Sequence, residues 1–341
     1  MEKSVQNLYE VCSSPQILTE ETNRSVMLDV IIALIPAGLC SLMVFRINAL
    51  IVILLSVLFC VSIEYLFSKI FFKKNTTGDL SAAVTGILLA YNLPATSPWW
   101  LILAGSFFSI VIGKLVFGGI GENIFNPALV GRVALLVSWP AFMTKWAKPQ
   151  PISSFSDIFK NIDSVTAATP LGILKEKGIN YINNSTQFSV IPDLFFGNCG
   201  GSLGEISAFA LILGGIYLYF RGHITLHIPA SFIITVFIIS FIFNQTNPDR
   251  YAEPMFNLFS GGVMLGAIFM ATDMVTSPMT NQGMVIFGTG CRLLTMIIRM
   301  FGAYPEGVSF AILIMNAVTP LLDKYLKIKR YGFKKKFNFK F

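Results

Sequence analysis

The chain has 341 residues, 54% of them hydrophobic and 13% charged, with a formal net charge of +7. Soluble domains are roughly a quarter charged, so this composition excludes an ordinary water-soluble globule. It also turns the positive balance away from nucleic acid: eight of the 25 basic residues fall within 324–341, behind an apolar stretch, and the rest are scattered between apolar runs.

In chain order, residues 1–25 carry Glu2, Glu10, Glu20 and Glu21 and no small-residue cleavage site. They read as a cytoplasmic segment, not a secretory signal. A bilayer crossing needs about 20 mostly apolar residues. Ten stretches qualify: 26–45, 48–68, 80–95, 98–117, 127–146, 205–221, 224–243, 257–273, 283–299 and 305–323. Segments 80–95 and 257–273 are rich in Gly, Ala, Ser and Thr, which suits helices packed closely on others or spans that break partway. The expected fold is an all-α polytopic membrane protein of about ten transmembrane helices.

An even number of spans puts both termini on one side, and the positive-inside rule makes that side cytoplasmic. Inner segments then hold Lys69, Lys73, Lys74, Arg221 and the basic tail, a cytoplasmic anchor near anionic lipid. The predicted organisation is 1–25 inside, a first five-helix half 26–146, a long extracytoplasmic loop 147–204, a second half 205–323, and the basic tail 324–341. Thr96-Ser97-Pro98 recurs as Thr276-Ser277-Pro278, and Gly86 matches Gly266 at the same offset. Asn126-Pro127-Ala128-Leu129-Val130 loosely matches Tyr304-Pro305-Glu306-Gly307-Val308. With five spans each, the halves would be inverted, a transporter-like architecture.

Intramembrane charges usually mark function. Asp29, Glu64, Asp79, Lys114, Glu122, Arg132, Glu205, Asp273, Arg292 and Arg299 are the candidates. Glu64 and Lys114 sit near span ends, where snorkelling to the interface accounts for them. Asp273 falls in a polar break, and it is grouped with Thr272 and Asn126 as lining for an inner cavity that takes riboflavin or a coupling ion. Gly118-Gly119-Ile120-Gly121 lacks the strand and the GK[ST] ending of a phosphate loop. No quinone site is read from the 31 Phe.

The five cysteines form no CxxC pair, and the two histidines, His223 and His227, lie near an inner loop. Neither an iron–sulfur cluster nor a bis-imidazole haem has its ligands, and no metal site or catalytic residue is assigned. Any cofactor of the chain's own is therefore organic. The segment Asp163-Ser164-Val165-Thr166-Ala167-Ala168-Thr169-Pro170 offers two Thr hydroxyls that can be esterified to phosphate. An Asp/Thr-rich turn that caps a short helix reads the same residues.

That segment resembles the flavin-attachment motif D-x-x-[S/T]-G-A-T, matched by Asp163, Thr166, Ala168 and Thr169, with Ala167 in place of the usual Gly. Further matches run along the chain: Asp29-Val30, Ala33-Leu34-Ile35-Pro36-Ala37, Asp79-Leu80-Ser81-Ala82, Gly200-Gly201-Ser202-Leu203-Gly204-Glu205 and Ala271-Thr272-Asp273. Together they resemble the RnfD family, the D subunits of the Rnf complex, which is the ion-pumping ferredoxin:NAD+ oxidoreductase. That family is related to NqrB of the Na+-translocating NADH:quinone oxidoreductase.

The resemblance implies FMN held as a phosphoryl ester on Thr169, attached by a transferase of the ApbE type, and a non-covalent riboflavin within the membrane part. It implies a bacterial inner-membrane protein relaying electrons to its neighbours, coupled to Na+ or H+ movement. Those neighbours include the G subunit, which also carries covalent flavin, and the A and E membrane subunits. NAD chemistry would belong to partners. An NqrB-type quinone-reductase subunit, a non-redox channel or transporter, and a purely structural anchor are the alternatives.

Overall fold

The structure is a computed structural model that describes residues 21–72, 76–150, 166–178, 190–197, 199–248, 251–302, 304 and 306–327. It is helical, apart from one two-residue strand pairing among the described residues.

The first helix, α1 (Asn23–Phe72), is 50 residues long. Unbroken, it would reach about 75 Å at 1.5 Å per residue, more than twice the hydrocarbon thickness of a bilayer. It is not continuous: Arg46 takes φ 55° and ψ −145°, leaving two arms that are each long enough for one crossing. Leu39, Met43, Leu54, Leu58 and Ile70 face outward, while Ala33, Ala37, Ala49 and Cys60 are buried. An apolar exterior over a small-residue interior is the arrangement that lipid selects.

Among the described residues, five stretches are long and apolar enough to cross a membrane: Asn23–Ile70, Trp99–Phe117, His227–Thr246, Asn281–Phe301 and Val308–Tyr325. The others are short. Helix α2 (Ser81–Tyr91) has 11 residues, α4 (Pro127–Ser138) 12, and α8 (Ala208–Phe220) 13. At 1.5 Å per residue each is roughly half to two thirds of a crossing. The expected spans 80–95, 127–146 and 205–221 are thus helical over only part of their length.

Between these, α3 (Trp99–Phe107) ends in a π turn, Phe108–Ile112. After α4 come α5 (Pro140–Met143) and β1 (Trp146–Ala147), which pairs antiparallel with β2 (Thr166–Ala167). Then follow α6 (Pro170–Lys177), α7 (Val190–Phe196), α8 and α9 (His227–Thr246). Helix α10 (Pro254–Phe259) leads to α11 (Val263–Leu265), which runs into a second π turn, Gly266–Met270. The expected span 257–273 is therefore broken as well. Helices α12 (Asn281–Phe301) and α13 (Val308–Tyr325) complete the described chain.

Two pairs of residues at the repeat offset play matching parts. A Cβ on Gly86 would lie 2.8 Å from Val57 Cα, and one on Gly266 would run into the Val308 side chain. Both glycines thus sit where a neighbouring helix approaches too closely for a side chain. Asn92 donates to Leu88 O at 2.6 Å, and Thr272 to Ile268 O at 2.5 Å. Each side chain bonds back to the carbonyl four residues earlier, at the end of its short helix.

Candidate functional site

Thr169 precedes a proline, which pushes its backbone into the extended region; it has φ −67° and ψ 153°. From there its hydroxyl oxygen accepts the Gly172 N–H at 3.1 Å, making it the N-cap of α6, with Pro170 in the first turn. The capping reading of this segment is what the geometry shows. The cap also places the hydroxyl at the positive end of the helix dipole, where phosphate is favoured.

The β1–β2 pairing ties the chain just before Thr169 to the segment that follows α5, with Trp146 opposite Ala167 and Ala147 opposite Thr166. On the other side, Leu171 packs into a small separate core with Leu194, Cys199, Ala252 and Phe256. Thr169 is consequently 6% exposed, while Ala168 is on the surface. Asp163 lies outside the described residues, as does the Thr166 side chain.

Thr169 lines a cavity of about 20 Å³ with Leu171, Leu194, Cys199, Gly200, Gly201, Glu205 and Gly261. That is room for about one water. Burial beside Asp193 pushes the Cys199 thiol up to about 12, so it stays protonated and inert. A second cavity, about 360 Å³, shares Leu171 and is lined further by Leu174, Lys175, Tyr251, Asn257 and Arg299. Lys175 donates to Gly302 O, and burial holds its ammonium below the ordinary lysine value.

Behind these cavities is a buried charged cluster. Arg132 on α4 donates to Asn92 and Glu306, and its Nη2 lies 3.6 Å from Glu205 Oε1. Arg299 donates to Asn257 O at 3.1 Å and Ser260 O at 3.0 Å, and Arg292 to Asn257 O at 3.2 Å. Arg132 and Arg299 face the two carboxylates and Arg292 lies beside Arg299, so three guanidiniums against two carboxylates leave one positive charge over. Several polar atoms here have no hydrogen-bond partner among the described residues: Arg292 Nε and Nη1, Arg299 Nε, Glu205 Oε1, Ser202 Oγ and Ser260 Oγ. Buried orphans of this kind are rare and call for an explanation. An anionic group rich in acceptors matches both the excess charge and the spare donors.

The residues predicted for an inner cavity are only partly gathered. Thr272 and Asp273 line a cavity of about 60 Å³ with His223, Val84, Leu88 and Phe269. Thr276 donates to Asp273 at 3.1 Å. Asn126 instead caps α4 and donates to Met270 O at 3.2 Å, outside that lining. Beside the cavity, Asp29 accepts from Tyr217 at 2.8 Å and Arg221 at 3.0 Å, and His223 Nε2 is 2.7 Å away. Glu205 precedes α8 while Arg221 and His223 follow it, so the two polar regions lie at opposite ends of that helix.

The snorkelling account of Glu64 and Lys114 is corrected. Both are buried, at 0% and 3% exposure, and Lys114 Nζ is 2.8 Å from each Glu64 oxygen. Ser81 and Thr76 complete the pair. Lys114 follows the π turn Phe108–Ile112 and its cap Gly113, and its ammonium points into the interior. Sequence reasoning also misses Glu306 and Asn92 as partners of Arg132. A lone Asn among the apolar residues before Pro94 is the available signal for the latter.

The fold and site together define a polytopic membrane protein with broken helices and a buried arginine–glutamate cluster near a capped threonine. The chain belongs to the NQR2, RnfD, RnfE family, whose model matches residues 10–332. It is 42% identical over 328 residues to the D subunit of the proton-translocating ferredoxin:NAD+ oxidoreductase complex of Clostridium ljungdahlii, covering 96% of this chain and 97% of that one. It is 43% identical over 324 residues to the D subunit of the Na+-translocating ferredoxin:NAD+ oxidoreductase complex of Acetobacterium woodii, with 94% and 95% covered. The D subunit of the ion-translocating oxidoreductase complex of Pectobacterium atrosepticum is 34% identical over 349 residues, with 95% and 99% covered.

Proposed function

We propose that the chain is the D subunit of an ion-translocating ferredoxin:NAD+ oxidoreductase complex in a bacterial inner membrane, carrying FMN esterified to Thr169. It passes electrons to or from its neighbours, among them the G, A and E subunits, while Na+ or H+ moves; NAD is handled elsewhere in the complex. The names of the relatives support the first part. The observation that carries the second is the geometry around Thr169: a hydroxyl at a helix N-terminus, beside a buried cluster with one surplus positive charge and unpartnered guanidinium donors.

The residues present fit the group. A phosphodiester on Thr169 carries one negative charge, enough to neutralise the surplus of Arg132, Arg292 and Arg299 over Glu205 and Glu306. The 20 Å³ cavity is too small for a tricyclic ring, whereas the 360 Å³ cavity beyond Leu171 falls in the range of ligand sites. When bound, the flavin supplies one-electron chemistry; Thr169 anchors it, and Arg299 and Lys175 supply donors near it. Because Thr169 is 6% exposed, α6 must lift for an ApbE-type transferase to reach the hydroxyl.

The reading extends to ten crossings in two inverted halves, with both termini cytoplasmic and Thr169 outside. The two arms of α1 and the matched roles of Gly86 with Gly266, and Asn92 with Thr272, support it. At the other end of α8, the cavity beside Thr272 and Asp273 has room for a coupling ion as it stands, and takes riboflavin only if it widens. Asp273→Ala then lowers riboflavin content or ion transport, and unchanged values of both refute that assignment.

The test of the main reading is flavin fluorescence of the denatured chain in a gel, after coexpression with an active FMN transferase. A fluorescent band that disappears in Thr169→Ala supports it. A dark wild-type band refutes it, and would favour a transporter without redox function, which the broken helices also suit.

A further inference from the structure

Glu205 is the odd member of the buried cluster. Its carboxylate is held between two glycines: a Cβ on Gly262 would lie 3.0 Å from Oε1, and one on Gly201 would lie 3.4 Å from Oε2. A side chain at Gly262 would crowd it, and one at Gly201 would touch it. Its side chain is 5% exposed. It lines the cavity that Thr169 also lines, which has room for about one water.

The charged groups facing it are Arg132 from α4, Arg299 from α12, and Glu306 just before α13. Arg132 is committed elsewhere. Its Nη1 donates to Asn92 and its Nη2 to Glu306, while Glu205 Oε1 stays 3.6 Å off without a hydrogen-bond partner among the described residues. One guanidinium thus serves two carboxylates, and Glu205 is the one left with a free oxygen. A buried carboxylate in that position is the group that most readily accepts a proton.

The charge balance gives this a role, which rests on the flavin reading above. With a phosphodiester on Thr169, the three arginines balance the phosphate, Glu205 and Glu306. An added electron leaves one uncompensated negative charge in a buried site, which is strongly unfavourable. We propose that Glu205 compensates it by taking up one proton at Oε1 when the first electron arrives at Thr169, and gives that proton back when the electron leaves. One O–H bond forms on Glu205 as that electron is gained and breaks as it is lost. The proton comes from solvent through the water-sized cavity, and the electron from a low-potential donor of the ferredoxin class. Glu205 is thus a charge-compensating residue one cavity away from the attachment point, and Arg132 and Glu306 set how readily it is protonated.

Redox-difference infrared spectroscopy of the purified intact complex tests this, with dithionite as reductant. Reduction of wild type should produce a carboxylic-acid C=O band that shifts down in D₂O. Glu205→Gln should lose the band while keeping full gel fluorescence at Thr169. Glu205→Asp, which keeps a carboxyl group, should keep a band at a shifted frequency and shows that the position tolerates change. A wild-type spectrum without the band, in protein whose Thr169 fluorescence is intact, overturns the proposal while leaving the flavin reading standing. So does a band unchanged in Glu205→Gln. Absence of Thr169-dependent fluorescence refutes the flavin reading instead, and the electron compensation falls with it.

Discussion

Two buried ionic assemblies in this molecule differ in one respect. Glu64 and Lys114 form a closed pair: the ammonium has three acceptors, and the carboxylate also receives Thr76. The cluster of Arg132, Glu205, Arg292, Arg299 and Glu306 is open, with surplus charge and several unpartnered atoms. Both are expensive to bury. The closed pair compensates itself and joins α1 to the π turn before Lys114, which is a structural task. The open cluster compensates itself only when something anionic is added, which is the mark of a site.

The sharpest way to break that comparison is to remove one partner from the closed pair. Lys114→Met leaves a buried carboxylate without its cation and should destabilise by about 3–5 kcal/mol, read as a large fall in thermal unfolding temperature in detergent. The double variant Glu64→Leu with Lys114→Met should recover most of that loss. If the single variant unfolds like wild type, the pair is not the closed staple described.

Next in size is the opposite behaviour at the open cluster. Arg292 has two unpartnered donors and 0% exposure, and such groups carry a penalty of about 1–3 kcal/mol. In protein made without FMN transferase, Arg292→Met should therefore raise the unfolding temperature; in flavinylated protein it should lower it. The same sign in both preparations would separate Arg292 from the ligand.

A smaller effect belongs to α6. Thr169→Ser keeps the cap and the hydroxyl and should retain flavin. Thr169→Ala should cost about 1 kcal/mol of local stability as well as the fluorescent band. Leu171→Ser, which weakens docking of α6 against Leu194 and Phe256, should speed flavin attachment several-fold in a timed reaction with purified transferase. An unchanged rate would show that α6 does not have to lift.

What the sequence reveals here follows how local the cause is. The two arms of α1 are readable because each is an unbroken apolar run, and the division between 26–45 and 48–68 falls where Arg46 breaks the helix. Segments 80–95 and 257–273 announce themselves as broken through their small residues, and α2 and α11 are short. The partial helices at 127–138 and 208–220 escape such a reading, because their flanks are apolar enough to mimic full spans. Thr169 stands out as part of a seven-residue pattern. Its surroundings do not, since Arg132 and Glu306 are 174 positions apart and meet only in the folded chain. The Glu64–Lys114 pairing is hidden for the same reason, with 50 residues between partners.

The central claim is the ester on Thr169, and mass spectrometry of the tryptic segment 161–175 addresses it most directly. Taken from protein coexpressed with active transferase, that peptide should carry the mass of FMN less one water, with fragmentation placing the addition on Thr169. An unmodified peptide from such a preparation, or a flavin mapped to another residue, would contradict the account.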